Sequence, residues 1–199
     1  MKLKKWELAL LMALTVTFVA GAALAREQRA LSDKLIRLHV VANSDSEEDQ
    51  SLKLAVRDRI LAELTPRLAG VGTRGEALDR IGQELMYLTV SARDEVQLRG
   101  YSYPVSITLT REDFPTREYD TFSLPAGSYE SLRVKIGAAE GRNWWCVVFP
   151  KLCVGEVGGD DVAALSDDEW ALITERTGRK VVKFRCMELL SKFTKMFAV

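Results

Sequence analysis

The spacing of apolar residues changes near residue 100, from helical to strand periodicity, and that change limits the folds open to this chain. Leu52, Val56, Ile60 and Leu64 recur every four residues, with Leu61 widening the stripe, which predicts an amphipathic helix. Pro66 ends or kinks it. Leu78, Ile81, Leu85, Leu88 and Ala92 then step by three and four, predicting a second helix to about Leu98. Thr73 and Glu76 have capping-box spacing at its start. From Tyr101 the period is two: Val105, Ile107 and Leu109 alternate with Ser106, Thr108 and Thr110, the pattern of a half-buried strand. Residues 119–124 and 129–136 are β-rich, with Pro125-Ala126-Gly127 turning between them, and residues 144–149 form a nearly all-apolar strand of the kind covered on both faces. One strand, over residues 35–42, precedes the helices; in it Ile36, Leu38 and Val40 alternate with Arg37 and His39. Asn43-Ser44-Asp45 stops it, and Ser44 with Glu47, or Asp45 with Glu48, offers a cap for the helix that follows. After a loop at 155–161, Ser166 and Glu169 can cap a short helix. A last amphipathic helix runs through Val182, Cys186, Leu189, Phe193 and Met196, although 180–184 also reads as strand. The expected fold is α+β: a single domain with a mostly antiparallel sheet and helices packed against it.

The first 25 residues bear on compartment. Lys2, Lys4 and Lys5 form a basic head, residues 8–24 carry no charge, and Ala23-Leu24-Ala25 places small residues where a signal peptidase reads. That is the layout of a secretory signal. The rival is an uncleaved anchor, since a 17-residue uncharged, mostly apolar stretch reaches the lower limit for a membrane span. The basic flank puts the rest of the chain outside the membrane in either case. The chain thus divides into a signal or anchor at 1–25 and a domain at 26–199. That domain carries 25 basic and 27 acidic residues, which gives no sign of nucleic acid as a partner. Charge is nonetheless segregated: Arg176, Arg179, Lys180, Lys183, Arg185, Lys192 and Lys195 stand against the single acid Glu188. A basic helix there packs its apolar side into the domain or makes peripheral contact with an anionic membrane.

Little in the chain points to catalysis. His39 is the one histidine. On an extended strand it is separated from Ser44 and Asp45 by about 17–20 Å, so only a sharp turn would assemble a triad. There is no nucleophile elbow, no paired zinc-ligand spacing and no Gly-Lys-Ser/Thr after Gly70, Gly72 and Gly75. Asp45, Glu47 and Asp49 lack the glycine and distal Glu of a calcium loop and fit helix capping better. The reading is of no catalytic residues, no metal site and no cofactor.

Residues 141–153 are the most specific local feature, Gly-Arg-Asn-Trp-Trp-Cys-Val-Val-Phe-Pro-Lys-Leu-Cys. In an exported protein Cys146 and Cys153 are candidates for a disulfide, with free buried cysteines as the alternative. Trp144 and Trp145 must face opposite ways on a strand, so one indole covers the sheet's other face or a partner. Residues 38–45 (Leu-His-Val-Val-Ala-Asn-Ser-Asp), with Asp49-Gln50 and Leu52-Lys53, resemble the opening motif of the stage II sporulation protein R family. Residues 124–134 (Leu-Pro-Ala-Gly-Ser-Tyr-Glu-Ser-Leu-Arg-Val) resemble its middle motif, and Gly141 with residues 143–150 and Cys153 its third. The match spans about 36–153, in order; the C-terminal segment matches least.

This resemblance implies a secreted signal. Such proteins leave the forespore for the space between two membranes and switch on a membrane-embedded aspartic protease of the mother cell, which trims a pro-sigma factor. The chain would then act by binding, with a secreted hydrolase of cell-wall or peptide material as the alternative. The candidate contacts are His39, Asn43, Asp45, Asn143, Trp144 and Trp145.

Overall fold

A computed structural model describes residues 4–119, 122–152, 165, 171, 173 and 174. The predicted loop at 155–161, the Ser166–Glu169 cap, the basic C-terminal helix and Cys153 lie outside the described residues. The chain divides into two compact units interleaved in sequence: residues 1–32, 113–127 and 171–199 form one, 33–112 and 128–170 the other.

In the first unit, α1 (Lys5–Ser32) takes in the apolar N-terminal segment, and large apolar side chains from Trp6 to Val19 are exposed along it. Among the described residues, no helix is long and apolar enough to cross a membrane. The unit also holds β3 (Arg117–Glu118) antiparallel to β4 (Ser123–Leu124), with Tyr119 and Phe122 stacked 4.5 Å apart at the turn.

In the second unit, β1 (Ile36–Val41) is followed by α2 (Glu47–Arg67) and α3 (Arg74–Leu98). The strands β2 (Val105–Phe114), β5 (Gly127–Ile136) and β6 (Asn143–Phe149) complete a sheet of order β2-β5-β1-β6. β1 runs parallel to β5, Ile36 opposite Glu130, and antiparallel to β6, His39 opposite Trp145. The sheet is therefore mixed, parallel between β1 and β5 and antiparallel between β1 and β6. The cause is connectivity: β1 is separated from its partners by two helices, so no hairpin constrains its direction and it enters between two strands made later.

Strand alternation sends Ile36, Leu38 and Val40 to one face, with Leu132, Val134 and Ile136 of β5, Val105 and Ile107 of β2, and Cys146 and Val148 of β6. Against that face pack Leu52, Val56, Ile60 and Leu64 from α2 and Ile81, Leu88, Ala92 and Val96 from α3. Each large side chain buried this way contributes roughly 1.5–3 kcal/mol. The Thr73–Glu76 capping box is complete, its hydroxyl taking the Glu76 N–H while the Glu76 carboxylate takes the Thr73 N–H. The start of α2 differs from expectation. Ser46 is its cap, accepting from the Asp49 N–H, while Ser44 bonds the Asp49 side chain. The other face of β1 also departs from the simple alternating pattern, for Arg37 and His39 are as buried as the apolar residues between them. Arg37 is fully enclosed with its guanidinium 5.0 Å from the Tyr129 ring, a cation–π contact.

Candidate binding site

The chain leaves β1 through Asn43-Ser44-Asp45, and the β5–β6 connection closes over that turn. Backbone N–H groups of Glu140 and Gly141 donate to the carbonyls of Asn43 and Ala42 at 3.2 and 3.0 Å. The Ala138 N–H reaches Asn43 Oδ1 at 2.9 Å, and the Arg142 N–H reaches Asp45 Oδ1 at 2.6 Å. From inside, Asn43 Nδ2 and Ser44 Oγ donate to Asp49 Oδ2 at 2.8 and 2.6 Å. The amide of Asn43 is thereby engaged at both ends.

Asp49 is the hub of this clasp and is buried. Burial alone would push its carboxyl up, but the bonds donated by Ser44, Asn43 and Tyr103 outweigh that and hold it below the usual carboxylate range. Ionised Asp49 also lies in the first turn of α2, where the helix dipole favours negative charge. A carboxyl whose folded pKa is depressed contributes stability that is present above its unfolded pKa of about 3.9 and is lost as pH falls through the folded value. Urea midpoints measured from pH 6 to pH 2.5 are expected to fall at the acid end. In Asp49→Asn that part of the pH dependence should vanish; an unchanged acid limb would show that Asp49 is not its source.

On the face of the sheet away from α2 and α3, His39 lies between charged and aromatic neighbours. Its Nδ1 is 3.1 Å from both carboxylate oxygens of Glu112 on β2, and its Nε2 is 2.8 Å from Asn143 Oδ1 on β6. Arg133 Nη1 is 3.7 Å from Glu112, and the Trp145 ring centroid is 5.7 Å from the imidazole. Ser44 and Asp45 are not brought to His39, since the first is tied to Asp49 and the second to Arg142.

Trp144 points to the helix side, packed against the core, with the Arg57 guanidinium 4.4 Å from its ring. Its indole N–H is buried and has no hydrogen-bond partner among the described residues. Beside it, Lys53 Nζ donates to Gln50 Oε1 at 2.6 Å and to the Arg142 carbonyl at 3.0 Å. Burial lowers the Lys53 pKa, as does repulsion from Arg142 and Arg57, while Asp45 opposes the shift. Among the described residues no group of three or more His, Cys, Asp or Glu is placed to hold a metal ion.

The six candidate residues from the sequence therefore meet at one end of β1 and β6 but fall into three settings. Asn43 and Asp45 hold the clasp, His39 and Asn143 bond each other, and the two tryptophans part to opposite faces. Glu112, Lys53, Arg57, Asp49 and Arg142 are not among the candidate contacts expected from the sequence, although Asp49 and Lys53 fall in its opening motif. The signal that would have found Lys53 and Arg57 is their helical spacing of four on α2, which puts two cations on the edge of an apolar stripe.

A small mixed sheet with two helices on one face, its central strand closed by a hydrogen-bonded clasp, defines an α+β domain. No solved structure matches it. The stage II sporulation protein R (spore_II_R) family profile matches residues 32–158, and the chain belongs to that family. It is 33% identical over 141 residues to the stage II sporulation protein R of Bacillus subtilis (strain 168), covering 71% of this chain and 63% of that protein. The chain thus spans less than two thirds of the length of this curated relative. The three segments that carried the resemblance form β1, β4–β5 and β6, and β5, β1 and β6 are adjacent in the sheet.

Proposed function

We propose that this chain is a secreted sporulation signal. It leaves the forespore, enters the space between the two membranes and activates, by binding, a membrane-embedded aspartic protease that trims a pro-sigma factor. Membership of the stage II sporulation protein R family is the observation that carries this reading. The basic head and uncharged stretch of the first 25 residues support export, and the basic stretch at 176–195 supports weak peripheral membrane contact. The test is reconstitution of the protease with its pro-sigma substrate, with and without this protein. Processing that depends on the added chain is the expected result; equal processing in its absence would refute the role.

The Glu112–His39 pair favours a second reading, a secreted hydrolase, because a carboxylate behind an imidazole orients a general base, which here would require Asn143 Oδ1 to release Nε2. His39→Gln separates the two. Binding predicts that a folded His39→Gln protein still activates the protease at saturating concentration, losing at most the affinity of one contact. Hydrolysis predicts a fall of about 10²–10⁴ in turnover with stability nearly unchanged.

Cys146 is buried on β6, and we place it in a disulfide with Cys153, leaving Cys186 free. Closing so short a loop contributes about 2–3 kcal/mol. Mass spectrometry of the non-reduced exported protein is expected to find one free thiol; three would exclude the bridge.

A further inference from the structure

The surroundings of Lys53 are incomplete in a specific way. Its side chain belongs to a residue only 5% exposed, yet both of its hydrogen-bond partners are neutral, the Gln50 amide oxygen and the Arg142 carbonyl. One of its three N–H groups has no acceptor among the described residues. Buried ammonium groups are ordinarily met by an anion, and among the described residues no carboxylate touches this one. The charges around it add to the deficit. Arg57 is matched by Asp58, at 2.6 Å, and Arg142 is met by Asp45 at 3.5 Å through Nε alone. Neither of these acids touches Lys53, the buried one of the three cations. Next to them lies the Trp144 indole N–H, a buried donor with no acceptor. Arg142, with its side chain 70% exposed, leads from solvent to this spot, and its Nη groups have no partner among the described residues.

We propose that Arg142, Arg57 and Lys53, gathered beside Trp144, receive an acidic segment of the protein this chain binds, with a carboxylate side chain supplying the missing anion. The inference rests on the binding role proposed above and names the chemistry of the partner. A planar guanidinium fork matches a single carboxylate in bidentate fashion. Anionic lipid surfaces are read instead by clusters of about four to eight cations, more than this spot holds.

The test uses the full chain and Arg142→Glu, which alters an exposed side chain, with the exposed Arg93→Glu on α3 as a control for net charge. The probe is a fluorescent octaglutamate peptide at low salt, with octalysine and with phosphatidylglycerol or phosphatidylcholine vesicles as comparisons. Octaglutamate is expected to bind, Arg142→Glu to weaken it by about fivefold or more, and Arg93→Glu to leave it within about twofold. Equal losses in the two variants, no preference over octalysine, or an Arg142→Glu loss confined to phosphatidylglycerol would each overturn the proposal. The same variants then go into the protease reconstitution. Activation by Arg142→Glu equal to the unsubstituted chain sinks this inference and leaves the binding role intact, whereas no activation by the unsubstituted chain removes the binding role itself.

Discussion

Replacing Gly141 by alanine is expected to destabilise the domain by about 3 kcal/mol or more, at the upper end of overpacking in a site that cannot yield. A Cβ there would overlap the Ser44 carbonyl and stand 3.0 Å from Ala42 Cβ. The obstacle is backbone, itself fixed by the bonds that Gly141 and Glu140 make to Ala42 and Asn43. Relief therefore requires the β5–β6 connection to lift from the turn, with loss of the Arg142 N–H bond to Asp45. Gly137 presents a related constraint, with φ at +60° and the Asn43 side chain in the space a Cβ would fill. Gly82 is the matched control. It lies within α3 with nothing within 4 Å of its missing Cβ, so Gly82→Ala should stabilise by about 0.8–1 kcal/mol through helix propensity. Urea unfolding of the two variants should give midpoints displaced in opposite directions. A Gly141→Ala midpoint at or above that of the unsubstituted protein would mean the clasp is not rigid.

Asp49→Ala is expected to cost about 3–5 kcal/mol, from the loss of charge-assisted bonds worth roughly 1.5–3 kcal/mol each and the donors left behind. Asn43 Nδ2 and Ser44 Oγ would both lose their acceptor. Asp49→Asn should be milder, since its amide oxygen can still accept. A double-mutant cycle with Asn43→Ala tests the mechanism: the pair shares one bond, so the double variant should lose less than the two single losses combined. Strict additivity would show that Asn43 and Asp49 stabilise the domain separately.

Much of the fold was legible because local signals agreed with one another. The 3-4 stepping and the Thr73–Glu76 pair located α3 to its last residue, and the alternation from Val105 located β2. What escaped has a common cause. The parallel pairing of β1 with β5, the burial of Arg37 and His39, and the capture of Ser44 by Asp49 all depend on partners distant in sequence or on a choice among competing caps. Three serine or aspartate residues in a row each offer a cap with the right spacing, and the β5–β6 connection decides among them by holding Asp45 from outside. The binding candidates show the same division. Their gathering at one end of β1 and β6 follows from two motifs becoming neighbouring strands. That Asn43 is inward-looking, and that no described carboxylate touches Lys53, is visible only once both strands are in place.

The position of β1 has a consequence for how the chain is made. Its parallel partner follows it by 94 positions, from Ile36 to Glu130, and β6 comes later still. Of the strands in this sheet, β1 is thus the first synthesised, and both its neighbours follow much later. Closing a loop of that length precedes any reward from strand pairing, which slows folding. Until about residue 149 has emerged, α2 and α3 can pair with each other but have no completed sheet to cover. A polypeptide in that condition remains threadable for most of its synthesis, the state in which a chain can be passed through a narrow pore before it closes.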